Sequence, residues 1–290
     1  MQVGVVGLGH MGRAMAERLI ERGFPLRVWN RTRDKADGLD ATVCDTPADA
    51  ADGCQVVITS LADDQAVREV VFDQNGVLEA LRDDGVHVSA STISFELARE
   101  LVRVHDDRRL GYLAAPVLGR PEAARSGQLF VLAGGDELLV EQCRPVFEAI
   151  GRGTIRYASP PTANLAKITV NLMLAGTIEL LGEAIALGEK AGIEPRSTVE
   201  LLTKTMFGCP AIEGYAHRIA AGEFEPAGFR MPLGLKDVEL ALAAGDALRV
   251  PLPVANVVRD HFIAALAHGL EDLDWSAVAT MARADAGLAG

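Results

Sequence analysis

Hydrophobic and polar positions in the first half of the chain follow the alternation of a βα protein. The apolar run Val3-Gly4-Val5-Val6 passes directly into Gly7-Leu8-Gly9-His10-Met11-Gly12. Met11, Met15, Leu19 and Ile20 then recur on one helical face, and Leu26-Arg27-Val28-Trp29 follows. The spacing predicts strand, glycine turn, helix and strand. Farther on, Thr42-Val43-Cys44 reads as a short strand, and Thr46-Pro47 opens a short helix as cap and first position. Residues 55–59 form a buried strand, Asp63 caps a helix through Val71, and residues 85–89, 94–103 and 110–114 read as strand, helix and strand. Residues 129–133, 136–150 and 154–157 repeat that order and extend the sheet. Apolar strands in repeated βα units imply a mostly parallel sheet covered on both faces.

The pattern changes at Ser159-Pro160-Pro161, because proline lacks the N–H of a central strand and presets the first turn of a helix. We place a domain boundary there, giving domains 1–160 and 161–290. Residues 162–190 read as one long helix, apolar nearly all round and stopped by Gly192, which must be wrapped by other helices or by a second subunit. Helices over 195–204, 212–221, 233–245, 254–268 and 275–283 complete an all-α second half, with Asp274 as a cap beside Asp272. The fold class is an α/β Rossmann-type N-terminal domain and an all-α C-terminal domain, joined by the long interdomain helix.

The glycines of the first turn have separate uses. Gly7 permits the tight turn, Gly9 lets backbone approach a pyrophosphate, and Gly12 lets helix and sheet pack closely; the helix N-terminus offers N–H groups to phosphate. At the end of the second strand, where an NAD-binding unit carries an acid, stand Asn30, Arg31 and Thr32, with Arg33 and Lys35 behind. A 2′-phosphate requires cations and is repelled by a carboxylate, so NADP(H) is expected in preference to NAD(H).

Composition narrows the classes further. A chain of 290 residues suits two domains, and its net charge of −12 disfavours non-specific nucleic-acid binding. Cys44, Cys54, Cys143 and Cys209 lack CxxC pairing, and the six histidines lack ligand spacing, so no metal is expected and His10 reads as a loop residue. The N-terminus has no basic n-region or apolar leader, and Lys167, Asn171, Glu179 and Glu183 interrupt the longest apolar stretch. We therefore expect a cytoplasmic protein with no membrane partner, and a homodimer that covers the apolar helix.

Lys167 lies early in the long helix with Asn171 four residues on, hence on the same face. At a domain junction such a lysine can exchange a proton with an alkoxide, with Asn171 orienting it or the substrate; the other reading is a lysine that snorkels to the surface. Together with GLGHMG and Phe229-Arg230-Met231-Pro232-Leu233-Gly234-Leu235-Lys236-Asp237, this pair resembles the β-hydroxyacid dehydrogenase family, which includes 3-hydroxyisobutyrate dehydrogenase and the glyoxylate and succinic semialdehyde reductases. The resemblance runs over essentially the whole chain. It implies a dimer, with Lys167 as general acid/base and Asn171 as its substrate-binding neighbour. Lys236 would close over the cofactor with Phe229 packed nearby, Ser91 and Thr92 would lie by the nicotinamide, and Leu61 and Ala62 would line the cofactor. The structural alternatives are a surface salt bridge of Lys236 with Asp237 and a helix cap at Thr92.

The substrate segment departs from the family's DxPVSGGxxGA. Here Ala114-Ala115-Pro116-Val117-Leu118-Gly119-Arg120-Pro121 puts leucine in place of the serine that helps hold a carboxylate, and adds a cation. Val117, Leu118, Gly119 and Arg120 remain the candidate substrate contacts; Arg120 either supplies the missing carboxylate contact or is a solvated residue at a helix start. The expected reaction is hydride transfer between NADP(H) and a small aldehyde, keto acid or hydroxy acid. Two alternatives stay open: an imine reductase of the related group, in which Asp or Tyr generally stands where this chain has Lys167, and a catalytically silent dimeric scaffold.

Overall fold

The computed structural model describes residues 1–288. The chain divides into two compact units, Met1–Lys167 and Ile168–Gly290. In the first, β1 (Val3–Val6) leads through the glycine turn to α1 (His10–Glu21), β2 (Leu26–Trp29), a 3-10 turn (Arg33–Ala36) and β3 (Thr42–Val43). Then come α2 (Pro47–Ala51), β4 (Val56–Thr59), α3 (Asp64–Phe72), α4 (Val77–Ala80), β5 (Val86–Ser89), α5 (Phe95–Arg108) and β6 (Gly111–Ala114). The unit closes with β7 (Val117–Leu118), α6 (Pro121–Arg125), β8 (Leu129–Gly134), α7 (Glu137–Ile150) and β9 (Gly151–Tyr157).

Strands β3-β2-β1-β4-β5-β6 run parallel in that order, so the sheet reverses direction of growth beside β1. Val3 and Val5 face a core shared with α1 and α7, whereas Val6 and Val57 face one shared with α2 and α4. Both faces are thus covered, which is why these strands are uniformly apolar. Two local signals act as read: Thr46 and Asp49 form a reciprocal capping box on α2, and Asp63 accepts the Ala66 N–H at the start of α3.

Other boundaries move for physical reasons. Helix α5 runs to Arg108, past the end of its apolar periodicity, and stops where Arg109 turns left-handed at φ 58°. Strand β8 is antiparallel to β6 and β7 and parallel to β9, which begins at Gly151. After Ala114 the chain passes through Ala115 and Pro116 into Val117–Leu118, a two-residue strand absent from the sequence reading, which pairs with β8.

Beneath the β4–β5–β6 part of the sheet lies a buried polar chain. The Leu101 carbonyl can only accept, so His105 Nδ1 donates to it at 2.7 Å. Neutral His105 then accepts from His87 Nδ1 at 2.9 Å, and His87 Nε2 accepts from the Thr59 hydroxyl at 3.0 Å. Tyr112 stacks on His105 with ring centroids 4.5 Å apart. Burial lowers both imidazoles, His87 well below its ordinary range with His105 adding repulsion, and His105 to about 4. Thr59 ends β4, so this chain fixes the strand terminus from which Ser60, Leu61 and Ala62 project.

The second unit is helical, and its first helix opens within the last residues of the first unit. Helix α8 (Pro160–Lys190) begins two residues before the expected start, with Pro160 and Pro161 in the first turn, where no N–H is needed. It is followed by α9 (Pro195–Lys204), α10 (Pro210–Ala221), α11 (Met231–Leu248), α12 (Pro253–Ala267), a 3-10 turn (Trp275–Ala279) and α13 (Thr280–Asp285). The single helix expected over 275–283 is therefore two elements, with Asp274 capping the first through the Ser276 N–H. Ile178, Leu181 and Ile185 of α8 join Val238, Phe262 and Trp275 in one core. By length and composition α8 is apolar enough to cross a bilayer. Within the unit its buried Glu179 is bound by His261 Nδ1 at 2.7 Å. Met173, Leu180 and Leu187, spaced by seven, are 67%, 62% and 75% exposed.

Candidate active site

In the first unit the expected cofactor residues gather at the C-terminal ends of β1, β2, β4 and β5. Gly7 leaves β1 with φ +96°, and a Cβ there would stand 2.3 Å from the Ser60 carbonyl oxygen. A Cβ at Gly12 would lie 2.0 Å from the Gly7 carbonyl oxygen. At Gly9, by contrast, an added Cβ meets nothing within 4 Å. Two of the glycines are thus required by contact with the protein itself, while the third leaves an open space over the start of α1. No side chain caps that helix and its first turn carries no acid, so its unsatisfied N–H groups are available to an anion. Leu8 is buried and Met11 packs into the core behind α1, so both offer backbone only, whereas His10 is exposed. The arrangement fits a dinucleotide pyrophosphate.

Asn30 is tied into this loop. Its Oδ1 accepts the Leu8 N–H at 2.8 Å and its Nδ2 donates to the Thr32 carbonyl at 2.9 Å. Arg31 and Thr32 are exposed beside it, and Arg31 makes no hydrogen bond or ion pair among the described residues. Arg33 is different: it pairs with Asp45 at 2.5 Å. The Leu61 N–H donates to Ser91 Oγ at 2.8 Å, and Ser91 donates in turn to the Thr59 carbonyl at 3.4 Å. Ser91 is buried, and its hydroxyl is engaged in holding the Leu61–Ala62 turn. Thr92 is half-buried at the next position; the cap of α5 is Ser94.

The substrate segment forms β7 and the start of α6. Val117 is buried opposite Val131, and Leu118 is half-buried opposite Phe130. Gly119 has φ +137°, which favours glycine, and a Cβ there would come 2.7 Å from Leu129 Cδ2, which would have to shift. Arg120 is the N-cap position of α6, with Pro121 as the first helical residue.

A second constellation belongs to the helical unit. Asn171, one turn after Lys167 on α8, is 6% exposed and donates Nδ2 to Asp237 Oδ2 at 2.5 Å. Asp237 is 2% exposed, and its other oxygen lies 3.0 Å from Lys236 Nζ. The Lys236–Asp237 pair is therefore not the surface bridge considered from sequence. Its carboxylate is buried: Oδ2 accepts the Asn171 amide, while Oδ1 has no hydrogen bond and is balanced by the charge of Lys236. Phe229 packs edge-on against Trp275 at 5.1 Å, and the Gly228 and Phe229 N–H groups donate to Asp274 at 3.0 and 3.2 Å. Asp274 thus holds the Phe229 loop as well as capping the 3-10 turn. Sequence reasoning missed Asp237 as a partner of Asn171. The available signal was a carboxylate followed directly by core Val238 in an apolar helix.

Comparison with known proteins agrees with this geometry. Residues 2–163 match the NAD-binding domain of 6-phosphogluconate dehydrogenase, and residues 162–282 match the NAD-binding domain of NADP-dependent 3-hydroxyisobutyrate dehydrogenase. The chain is 39% identical over 282 residues to the uncharacterized oxidoreductase YfjR of Bacillus subtilis, covering 96% of this chain and 98% of that one. It is 33% identical over 281 residues to glyoxylate/succinic semialdehyde reductase 1 of Arabidopsis thaliana, covering 96% and 97%. Among solved structures, 3-hydroxyisobutyrate dehydrogenase of Mycobacterium tuberculosis with L-serine superposes with a TM-score of 0.88 at 29% identity, covering 97% and 99% of the two chains. The chain belongs to the β-hydroxyacid dehydrogenase family, and it is an NAD(P)-dependent oxidoreductase acting on a small carbonyl or hydroxy-acid substrate.

Proposed function

We propose that this oxidoreductase uses NADP(H) in preference to NAD(H) and interconverts a small aldehyde or keto acid with its hydroxy acid, with Lys167 as general acid/base. The observation that carries the chemical half is the Asn171–Asp237 pair. Two buried polar side chains are bound to each other one helical turn from a lysine, an arrangement that costs desolvation and that fixes the amide of Asn171. The coenzyme half rests on Arg31 standing where an acid would select the 2′-hydroxyl.

The nicotinamide, when bound, supplies or accepts the hydride. The protein does the rest. The α1 N-terminus and Gly9 hold the pyrophosphate, Arg31 and Thr32 the 2′-phosphate. Leu61, Ala62 and Thr92 would line the coenzyme; in the helical unit Phe229 and Lys236, the latter braced by Asp237, are the candidate coenzyme residues. In the reductive direction the Lys167 ammonium donates a proton to the substrate oxygen as the carbonyl becomes an alcohol, and in the oxidative direction the neutral amine takes it back. Asn171 orients the oxygen for that transfer. Leu118 in place of a serine favours a substrate larger and less polar than a short hydroxy acid, with Arg120 as the candidate cation for its carboxylate.

We also place the protein in the cytoplasm as a homodimer, without nucleic-acid or membrane partners. The Met173–Leu180–Leu187 stripe of α8 is the surface that a second copy covers. Elution at the monomer mass of 30.8 kDa in gel filtration refutes the dimer.

The deciding experiment follows NADPH oxidation with glyoxylate, succinic semialdehyde and a set of cyclic imines, for the native protein, Lys167→Ala and Asp237→Asn. Loss of a proton-transfer group lowers kcat on the aldehyde acids by about 10²–10⁴-fold in Lys167→Ala. Imine turnover that survives Lys167→Ala moves the protein to the imine-reductase reading. Tight NADPH binding without turnover of either class supports the silent scaffold.

A further inference from the structure

Arg13 stands at the end of the first turn of α1, where the helix dipole is unfavourable to a cation. Each of its three guanidinium nitrogens nonetheless makes a hydrogen bond. Nε donates to Glu17 Oε1 at 2.9 Å, while the two terminal nitrogens donate to the Lys35 carbonyl at 2.7 Å and the Asp37 carbonyl at 2.9 Å. Those carbonyls end the 3-10 turn Arg33–Ala36, which begins directly after Arg31 and Thr32.

That turn is held mainly by backbone hydrogen bonds and by the Arg33–Asp45 pair on the surface. Thr32 provides no side-chain cap, and of its residues only Ala36 is buried. The Lys35 N–H donates to the Thr32 carbonyl at 3.1 Å and the Asp37 N–H to the Asp34 carbonyl at 3.2 Å; Asn30 adds a donor to the Thr32 carbonyl, and Arg13 donates to the Lys35 and Asp37 carbonyls. Carbonyl oxygens repel a phosphate, and the fork engages two of them with a cation, so that neither is left as a bare acceptor in the loop that follows Arg31. The fork is itself braced. Glu17 binds Arg125 of α6 at 2.8 Å as well as Arg13, and although burial pushes its carboxyl upward, the two arginines hold it below its ordinary range. An ionic chain Arg125–Glu17–Arg13 thus runs from the helix that follows the substrate segment to the loop beside Arg31.

We infer that Arg13 is a positioning residue for coenzyme selection, acting through the turn that presents Arg31 and Thr32 to the 2′-phosphate. The inference rests on the reading of Arg31 given above. It predicts a selective effect: NADPH binding depends on the fork, and NADH binding does not.

The test is calorimetric titration of NADPH and NADH into the native protein and into Arg13→Met, Arg13→Lys and Arg31→Ala, with melting temperatures and steady-state kinetics alongside. In Arg13→Met the NADPH Kd rises on the order of tenfold, equivalent to about 1.4 kcal/mol, with NADH within twofold and the melting temperature retained. The KM for NADPH rises while kcat at saturation is unchanged. Arg13→Lys keeps the charge but loses the planar fork, so it follows Arg13→Met. Equal weakening of both coenzymes overturns the proposal by making Arg13 a pyrophosphate contact, and native behaviour of Arg13→Lys overturns it by making charge alone sufficient. If Arg31→Ala collapses the NADPH:NADH ratio and Arg13→Met does not, the proposal fails and the reading of Arg31 stands. If neither changes the ratio, the reading of the loop itself fails.

Discussion

Acidification should destabilise the first unit well before most carboxylates titrate, and the buried imidazole chain sets the window. His105 has an ordinary value of 6.5 and is held near 4 in the folded protein, first by burial and then by Arg108 and despite its bond to Leu101. The unfolded chain binds a proton as pH falls through 6.5, whereas the folded chain does not until near 4. Stability is therefore complete above 6.5 and is lost as pH falls between these values, with nothing further lost below. At about 1.4 kcal/mol per pH unit the loss is about 3 kcal/mol for His105 alone. His87 adds to it in the same direction, because a proton there faces both desolvation and His105. One proton also disorders the whole chain, since a protonated His105 Nε2 would confront the His87 Nδ1–H. Urea unfolding at a series of pH values from 7.5 downward, compared with His105→Gln, measures the effect. A flat unfolding free energy from pH 6.5 to 5, or an identical slope in His105→Gln, refutes the reasoning. An imidazole NMR titration of His105 centred near 6.5 would do so independently.

The remaining predictions concern the site. Gly9→Ala meets no protein atom, so its unfolding free energy in urea should stay within about 1 kcal/mol of native, the ordinary helix-start difference between glycine and alanine. Its coenzyme Kd should nonetheless rise at least about tenfold, because the methyl enters the pyrophosphate space; unchanged binding would contradict the cradle. Asp237→Asn keeps the shape but presents the Asn171 amide with a weaker acceptor, so kcat should fall by about 10–100-fold with NADPH Kd altered less than kcat. Equal changes in both would make the pair purely structural.

Much of this architecture is legible in local patterns because local chemistry produces it. The glycine turn, the Thr46 capping box and the Asp63 cap each act within a few residues, and the structure shows each in place. What escapes local reading is long-range pairing between polar groups. His87 and His105 lie on different elements, as do Arg13 and Lys35, and Asn171 and Asp237 are 66 residues apart. Ser91 shows the same limit from the other side: its sequence context resembles a ligand contact, but the fold brings the Leu61 N–H to its hydroxyl. The two-residue strand β7 is too short to show periodicity, and it exists because Pro116 breaks the extended segment while β8 offers a partner.

The sheet ends at β9, a seven-residue strand paired on one side with β8 and on the other with no strand among the described residues. At the opposite end β3 has only two residues, so β9 alone is long enough to template growth by a foreign strand. Two arginines stand on it: Arg152 Cζ lies over the Phe130 ring, 4.3 Å from its centroid, and Arg156 is held by Glu137 at 2.8 Å. Colloidal behaviour at high concentration thus depends on a pair of local guards as well as on the net charge of −12. Neutralising both would open a route to edge-to-edge fibre formation that leaves the catalytic chemistry untouched.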